Sequence, residues 1–110
     1  MRSKYNAKKT IIDGIKFDSK KEGAYYLKLK QLEKAGMITD LKLQVPFAWV
    51  ETHSNLDQAI HFKRKYIADF TCIDYKKDFC IIDVKGYKTE VYKKKKKIVE
   101  KIFNIIITEI

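Results

Sequence analysis

Residues 80–87 read CIIDVKGY, and this short stretch decides how the rest of the chain is interpreted. Three apolar side chains are followed by Asp83 and, two residues later, by Lys85. Successive side chains of a strand point to opposite faces, so Asp83 and Lys85 should project from the same face. Two interpretations are open: an exposed ion pair at the edge of a sheet, or one half of a metal-dependent active site.

The segment before this stretch supplies a second acid. Residues 64–74 (RKYIADFTCID) and 78–86 (DFCIIDVKG) are both typical of strands, and a short turn at 75–77 joins them. A tight turn there places Asp69 opposite Asp83, with the Cβ atoms about 5 Å apart. Two carboxylates that close repel each other unless a cation lies between them, and oxygen ligands suit Mg²⁺ or Mn²⁺. The bland interpretation is that each acid simply pairs with a lysine.

Further elements follow from patterning. We expect a small hairpin at 10–17, a helix at 19–35 that ends before Gly36, and an alternating strand at 40–51 in which Pro46 favours an edge position. A polar loop at 52–62, a second helix at 89–103 and a buried strand at 105–108 are also expected. The order helix, three strands, helix, strand predicts one α/β domain over residues 1–110, with a mixed central sheet flanked by helices. Residues 1–17 form a basic arm and the hairpin, and residues 18–110 form the core. The last two strands should be joined by a crossover connection.

The composition of the chain points to a polyanionic partner. The chain has 110 residues, 24 Lys plus Arg, 14 Asp plus Glu and a formal net charge of +10. So large an excess in one small domain favours nucleic acid over an anionic membrane, and no apolar run is long enough to span a bilayer. The two cysteines, Cys72 and Cys80, come opposite each other in the predicted hairpin. A disulfide is conceivable there, but the absence of an apolar leader favours reduced thiols.

Glu22 is the third candidate carboxylate, and it has a competing explanation. Ser19 and Glu22 fit the S-x-x-E capping box at the start of the first predicted helix. Glu22 also heads the apolar stripe of that helix, formed by Tyr25, Tyr26, Leu29 and Leu32. It should therefore lie at the boundary between helix and sheet, close to a metal site there.

A run of lysines marks the second predicted helix. Residues 92–97 read YKKKKK, and most of these lysines lie outside the apolar stripe of Val91, Tyr92, Lys95, Ile98, Val99, Ile102 and Phe103. The run is either a solvated helix face or a surface that contacts phosphates in a sequence-independent way. The candidate DNA-binding residues are Lys88, Lys93, Lys94, Lys96 and Lys97. The basic amino end, with Arg2, Lys4, Lys8 and Lys9, is either an arm across a backbone or a disordered tail.

The combination of Asp69, Asp83-x-Lys85 and an acid on an earlier helix resembles the PD-(D/E)xK nuclease superfamily. The resemblance covers residues 18–107 and implies a restriction-endonuclease-like core. This chain has Ala68 where the name of the motif has proline. The wider pattern IDGIKFDSKKEGAYY, YIADF and IIDVKGYKTEVYKKKKK resembles a family of small phage and prophage proteins that are likened to Holliday junction resolvases.

The resemblance also implies roles for particular residues. Asp69 and Asp83 hold Mg²⁺ or Mn²⁺, together with the backbone carbonyl of Val84, and Glu22 binds the metal directly or through water. Lys85 orients or activates the attacking water and stabilises the developing negative charge. Gly86 lets the chain turn sharply after the site.

The implied function is a metal-dependent endonuclease that hydrolyses phosphodiester bonds of branched DNA. A resolvase cuts two strands, so a homodimer with two active sites is expected. The expected location is the cytoplasm of a bacterial host, if the chain is encoded by a phage or prophage. Two alternatives stay open: a nuclease for other replication or recombination intermediates, and a catalytically silent DNA-binding module.

Overall fold

The computed structural model describes residues 9–55, 57–85 and 88–110. The expectations for Arg2, Lys4, Lys8 and Gly86 lie outside these residues. The helices are α1 (Lys20–Lys34) and α2 (Glu90–Phe103). The strands are β1 (Thr10–Ile12), β2 (Ile15–Phe17), β3 (Ile38–Asn55), β4 (Gln58–Asp74), β5 (Phe79–Asp83) and β6 (Ile107–Glu109). After the small β1–β2 hairpin, the order helix, three strands, helix, strand is confirmed.

The main sheet is mixed, as predicted. Its strand order is β3-β4-β5-β6, with antiparallel pairing up to β5 and parallel pairing between β5 and β6. A parallel pair needs a crossover connection, and α2 provides it. Pro46 lies in β3, which is an edge strand, the position at which a sheet tolerates a proline.

Two turn predictions are confirmed by backbone angles. Asp13 and Gly14 both have positive φ values, 53° and 76°, as a tight two-residue hairpin turn requires. Gly36 has φ 79° directly after the C-cap of α1, which explains why the helix ends there.

The predicted polar loop at residues 52–62 is wrong. Residues 52–55 and 58–62 continue β3 and β4 as a paired hairpin, with Thr52 opposite His61 and Asn55 opposite Gln58. The side chains here are almost all exposed on both faces of the ribbon. A two-stranded ribbon surrounded by water needs no alternation of apolar and polar residues, so the pattern that identifies a half-buried strand is missing. The longest dimension of the molecule is 56 Å.

The core consists of two clusters on opposite faces of the sheet. The first packs α1 and the small hairpin against Phe70 and Ile82, and the second packs α2 against Tyr66 and Ile81. The base of the long hairpin contributes Leu43 to the first cluster, whereas Phe47 and Trp49, farther along the same strand, pack on the second. The ribbon therefore changes the side on which it packs between residues 43 and 47, close to Asp69 of the neighbouring strand.

The predicted stripe of α1 is confirmed, because Tyr25, Tyr26, Leu29 and Leu32 all belong to or pack on the first cluster. The predicted stripe of α2 is too wide. Tyr92, Val99 and Phe103 pack on the sheet, but Val91, Ile98 and Ile102 are exposed. The helix therefore meets the sheet along a narrower stripe than its apolar residues predict. No helix in the described part of the chain is long and apolar enough to cross a membrane.

Candidate active site

Asp69 and Asp83 meet on neighbouring strands, as the position of the turn predicts. Phe70 pairs with Ile82 and Cys72 with Cys80, and the next step of this register sets Asp69 against Asp83. Both acids are buried, Asp83 completely. The backbone N–H of Val84 donates to Asp69 Oδ2 over 2.8 Å, which orients that carboxyl group. Both cysteines opposite each other are free thiols.

Asp83 has one satisfied and one unsatisfied oxygen. The hydroxyl of Tyr66 donates a hydrogen bond to Oδ2. Oδ1 is buried without a hydrogen-bond partner among the described residues. The ammonium group of Lys85 lies 3.3 Å from Oδ1, near enough for an ion pair. The same ammonium lies 5.0 Å from the centre of the Tyr92 ring, so a carboxylate and an aromatic face both hold it in place.

The carboxyl group of Asp69 is buried beside that of Asp83, and this position favours its protonated form. Burial raises the pKa of the Asp69 carboxyl to about 8, and hydrogen bonding to Asp83 acts in the same direction. The bond from the Val84 N–H opposes these effects without cancelling them. Asp69 therefore keeps its proton at pH 7 when no cation is present. A pair of buried carboxyl groups in this state favours any divalent cation that can replace the proton.

Glu22 reaches the site from the first turn of α1. Its backbone N–H donates to Ser19 Oγ over 3.1 Å, so the predicted helix cap is present. Its carboxylate is buried and accepts a 3.3 Å hydrogen bond from Nε2 of Gln44. Burial raises the pKa of Glu22, with further upward contributions from Asp18 and Asp83 and a downward one from Lys85. The side chain of Glu22 is thus turned toward the sheet. In the same helix turn, the ammonium group of Lys21 donates a 3.3 Å hydrogen bond to the backbone carbonyl of Lys85.

Gln44 is a site residue that the sequence pattern does not reveal. It occupies a polar position of an alternating strand, where an exposed side chain is expected. Its φ is 54°, a left-handed conformation that costs a non-glycine residue about 1–2 kcal/mol. This local twist lies in the segment where the ribbon changes packing side, and it accompanies the contact of Gln44 with Glu22.

A cleft of about 430 Å³ opens beside the acids. Its walls are formed by side chains of β4, the end of β5 and α2: Lys65, Tyr66, Ile67, Lys85, Thr89, Val91, Tyr92 and Lys95. The cleft lies where β5 ends at Asp83 while β4 continues past it, so that no described strand pairs with that part of β4 on the side of β5. Lys65, Lys85 and Lys95 make it positively charged, although Lys65 and Lys95 were not among the predicted DNA-binding residues.

The predicted DNA-binding lysines lie on another flank of α2. Lys88, Lys93, Lys94, Lys96 and Lys97 surround a depression that also contains three acids, Glu90, Glu100 and Glu109. Lys96 and Lys88 form ion pairs with Glu109, and Lys93 pairs with Glu90. These acids reduce the net charge of the flank, and α2 separates it from the cleft.

The residues of the candidate site fit a divalent cation that needs only one or two protein ligands. Within residues 9–55, 57–85 and 88–110, no group of three or more His, Cys, Asp or Glu side chains is arranged to hold a metal ion. Asp69 and Asp83 nevertheless supply two carboxyl groups, one oxygen of which is buried and accepts no hydrogen bond from these residues. Mg²⁺ commonly binds one or two carboxylates and completes its shell with water and substrate phosphate, so this donor set is sufficient.

These features define a small mixed α/β protein with a buried acidic pair at the edge of a basic cleft. The chain belongs to a family of proteins of unknown function (DUF1064), whose model matches residues 2–109. No curated protein and no solved structure matches the chain.

Proposed function

We propose that this protein is a Mg²⁺- or Mn²⁺-dependent endonuclease with a restriction-endonuclease-like core that hydrolyses phosphodiester bonds in DNA. One observation carries the proposal: the carboxylate of Asp83 is fully buried beside Asp69 at the edge of a basic cleft, and its Oδ1 accepts no hydrogen bond from the described residues although the ammonium of Lys85 lies 3.3 Å away. A buried carboxylate oxygen that accepts no hydrogen bond is costly in a folded protein unless it serves a ligand. The formal net charge of +10 suits a polyanionic substrate.

Each residue has a role in this proposal. Asp69, Asp83 and the carbonyl of Val84 hold the metal, and Glu22 supports it through water. When bound, the metal polarises a phosphoryl oxygen and lowers the pKa of a coordinated water. Lys85, fixed by Asp83 and the Tyr92 ring, provides positive charge where negative charge develops on the phosphate. Tyr66 keeps the Asp83 carboxylate in one orientation.

Branched DNA, such as a Holliday junction, is the proposed substrate, and a homodimer is the proposed assembly. The described chain carries one such site, and cutting two strands of a junction requires two.

The second candidate function is a catalytically silent DNA-binding module. The ion pair between Lys85 and Asp83 favours this second function, because it partly satisfies Asp83 without any metal.

The decisive experiment compares two aspartate variants on DNA. A labelled four-way junction and a linear duplex of the same sequence are incubated with wild type, Asp83→Asn and Asp78→Asn, in Mg²⁺, Mn²⁺ or EDTA. Asp78 lies exposed in the turn between β4 and β5, so Asp78→Asn is a matched loss of one carboxylate. We expect cutting by wild type and Asp78→Asn with metal, none in EDTA, and none by Asp83→Asn, which still binds.

Two further results complete this test. Mn²⁺ should raise the melting temperature of wild type but not that of Asp83→Asn, because a ligand that binds only the folded state stabilises it. If wild type binds both DNAs but cuts neither in the presence of Mg²⁺ or Mn²⁺, the proposed endonuclease activity is overturned in favour of the catalytically silent DNA-binding module. Cutting retained by Asp83→Asn would remove Asp83 from the chemistry.

A further inference from the structure

The outer part of the β3–β4 hairpin, residues 48–55 and 58–65, forms an arm that begins at the second core cluster, where Trp49 packs, and projects outward from there. Its outermost described pair is Asn55 with Gln58, and its innermost is Ala48 with Lys65. The radius of gyration is 16.6 Å, whereas a compact chain of this length has about 13 Å. A projecting two-stranded ribbon offers two faces, and directly paired residues share a face.

The two faces of the arm differ in charge. One face carries Lys65, Lys63 and His61, opposite the uncharged residues Ala48, Val50 and Thr52. The other face carries Glu51, which contacts Arg64 over 3.3 Å and His53 over 3.4 Å. The ion pairs formed among the described residues involve neither Lys63 nor Lys65. The first face, called the basic face below, therefore carries positive charge and no acid among its paired residues.

The basic face continues into the cleft of the candidate active site. Lys65 belongs to both, since it lines the cleft together with Lys85 and Lys95. Positive charge thus extends from Lys85, beside Asp83, through the cleft and outward along the arm. The lysines of the opposite flank of α2 do not form part of this path.

We infer that the basic face of the arm binds the phosphate backbone of double-stranded DNA next to the strand that enters the cleft. This inference rests on the proposed function. Lys63 and Lys65 are about 6.6 Å apart along the strand, while a DNA strand presents a phosphate about every 3.4 Å of helix axis, so both can reach phosphates. The paired residues of this face include no Phe, Tyr or Trp, and its one aromatic ring, His61, is hydrogen-bonded to Thr52 over 3.0 Å. The face therefore suits phosphate contacts better than stacking on unpaired bases.

The arm gives a physical reason for selecting branched DNA. One duplex lies along the arm, and the second duplex of a branch is free to contact the lysines on the far flank of α2. A linear duplex contacts fewer of these groups at once. Since lysine–phosphate contacts carry no sequence information, the selectivity concerns DNA shape.

The test measures the salt dependence of DNA binding in EDTA. The variant Lys63→Gln/Lys65→Gln removes two charges from the basic face. The matched control is Lys28→Gln/Lys34→Gln on exposed positions of α1. For a four-way junction, we expect the slope of log Kd against log salt to decrease by about 2 in the arm variant, with weaker binding at every salt concentration. The control should keep the wild-type slope.

The outcomes separate this inference from the proposed function. An unchanged slope in the arm variant, or an equal change in the control, overturns the inference. So does a loss of self-association by sedimentation equilibrium with an unchanged slope, because the arm is then a contact between two copies of the chain. Binding is measured without metal, so the result does not depend on whether the protein cuts DNA, and cutting by Asp83→Asn would overturn the proposed function alone.

Discussion

Asp83 is the residue on which the site depends, and its surroundings explain why. It is fully buried, and Tyr66 and Lys85 between them contact both of its oxygens, yet only one oxygen accepts a hydrogen bond. Burial also raises the pKa values of Tyr66 and Tyr92, so both phenols stay neutral at physiological pH, and the hydroxyl of Tyr66 donates to Asp83. Lys85 lies 3.3 Å from Asp83 Oδ1, the oxygen that accepts no hydrogen bond among the described residues.

The raised pKa of Asp69 makes stability depend on pH in a defined direction. Its pKa is about 8 in the folded protein and about 4 in the unfolded chain. Between these values the unfolded state loses its proton while the folded state keeps it, so the free energy of unfolding falls as pH rises from about 4 to about 8. Urea unfolding in EDTA should show this decline.

The control for this prediction is Asp69→Asn, which cannot lose a proton. Its decline over the same pH range should be smaller than that of wild type, and a remainder is expected because the pKa of Glu22 is also raised. Identical pH profiles for the two proteins would contradict the raised pKa. Adding Mn²⁺ at pH 8 should stabilise wild type and have little effect on the variant.

Among the elements, α1 is held by a close contact with the small hairpin. Gly23 is buried in its first turns, and a Cβ atom there would lie 2.8 Å from Cγ2 of Thr10 and 2.9 Å from Cδ1 of Ile12. This contact sets how near the first turn of α1, and with it Glu22, lies to the sheet. It also explains a glycine inside a helix, where alanine is otherwise better by about 1 kcal/mol.

Gly23→Ala should therefore destabilise the protein despite its better helix propensity. We expect the free energy of unfolding to fall by about 1 kcal/mol or more, because overpacking costs about 1–3 kcal/mol. The same change combined with Thr10→Ser and Ile12→Val, which remove the two clashing methyl groups, should recover most of the loss relative to the Thr10→Ser/Ile12→Val background. If Gly23→Ala alone stabilises the protein, the β1–β2 hairpin can shift away from α1 at little cost in free energy.

At the scale of the molecule, positive charge is distributed over two separate surfaces. The arm and cleft carry Lys63, Lys65, Lys85 and Lys95, and the far flank of α2 carries the lysine run. On that flank Lys93 and Lys96 are ion-paired, whereas no ion pair of the described residues includes Lys94 or Lys97. Lysines that must first leave a carboxylate contribute less to phosphate binding.

This difference predicts unequal effects within the lysine run. Lys94→Gln/Lys97→Gln should reduce the salt slope of junction binding by about 2, and Lys93→Gln/Lys96→Gln should reduce it less, although both remove two charges. Fluorescence anisotropy over a series of salt concentrations measures both slopes. If neither pair changes the slope, the run is a solvated helix face and the DNA contacts lie elsewhere.

The local parts of this protein were determined by the sequence itself. The turn at 75–77 places Asp69 against Asp83, period two puts Lys85 beside Asp83, and Ser19 with Gly36 marks the two ends of α1. These features depend on residues close along the chain or on one short register, so patterning is enough to predict them. The restriction-endonuclease-like core, the metal and the DNA substrate stay proposals.

Only the tertiary structure decided which distant groups complete the site. Gln44 reaches Glu22 because the ribbon twists at a left-handed residue, and Tyr66 reaches Asp83 across the strands. Lys65 and Lys95 meet at the cleft because β5 stops while β4 continues. The sequence pattern does not predict the arm, because its residues face water on both sides of the ribbon and show no periodic burial. Residue patterns record burial against a core, whereas contacts among exposed or distant polar groups depend on how whole elements pack.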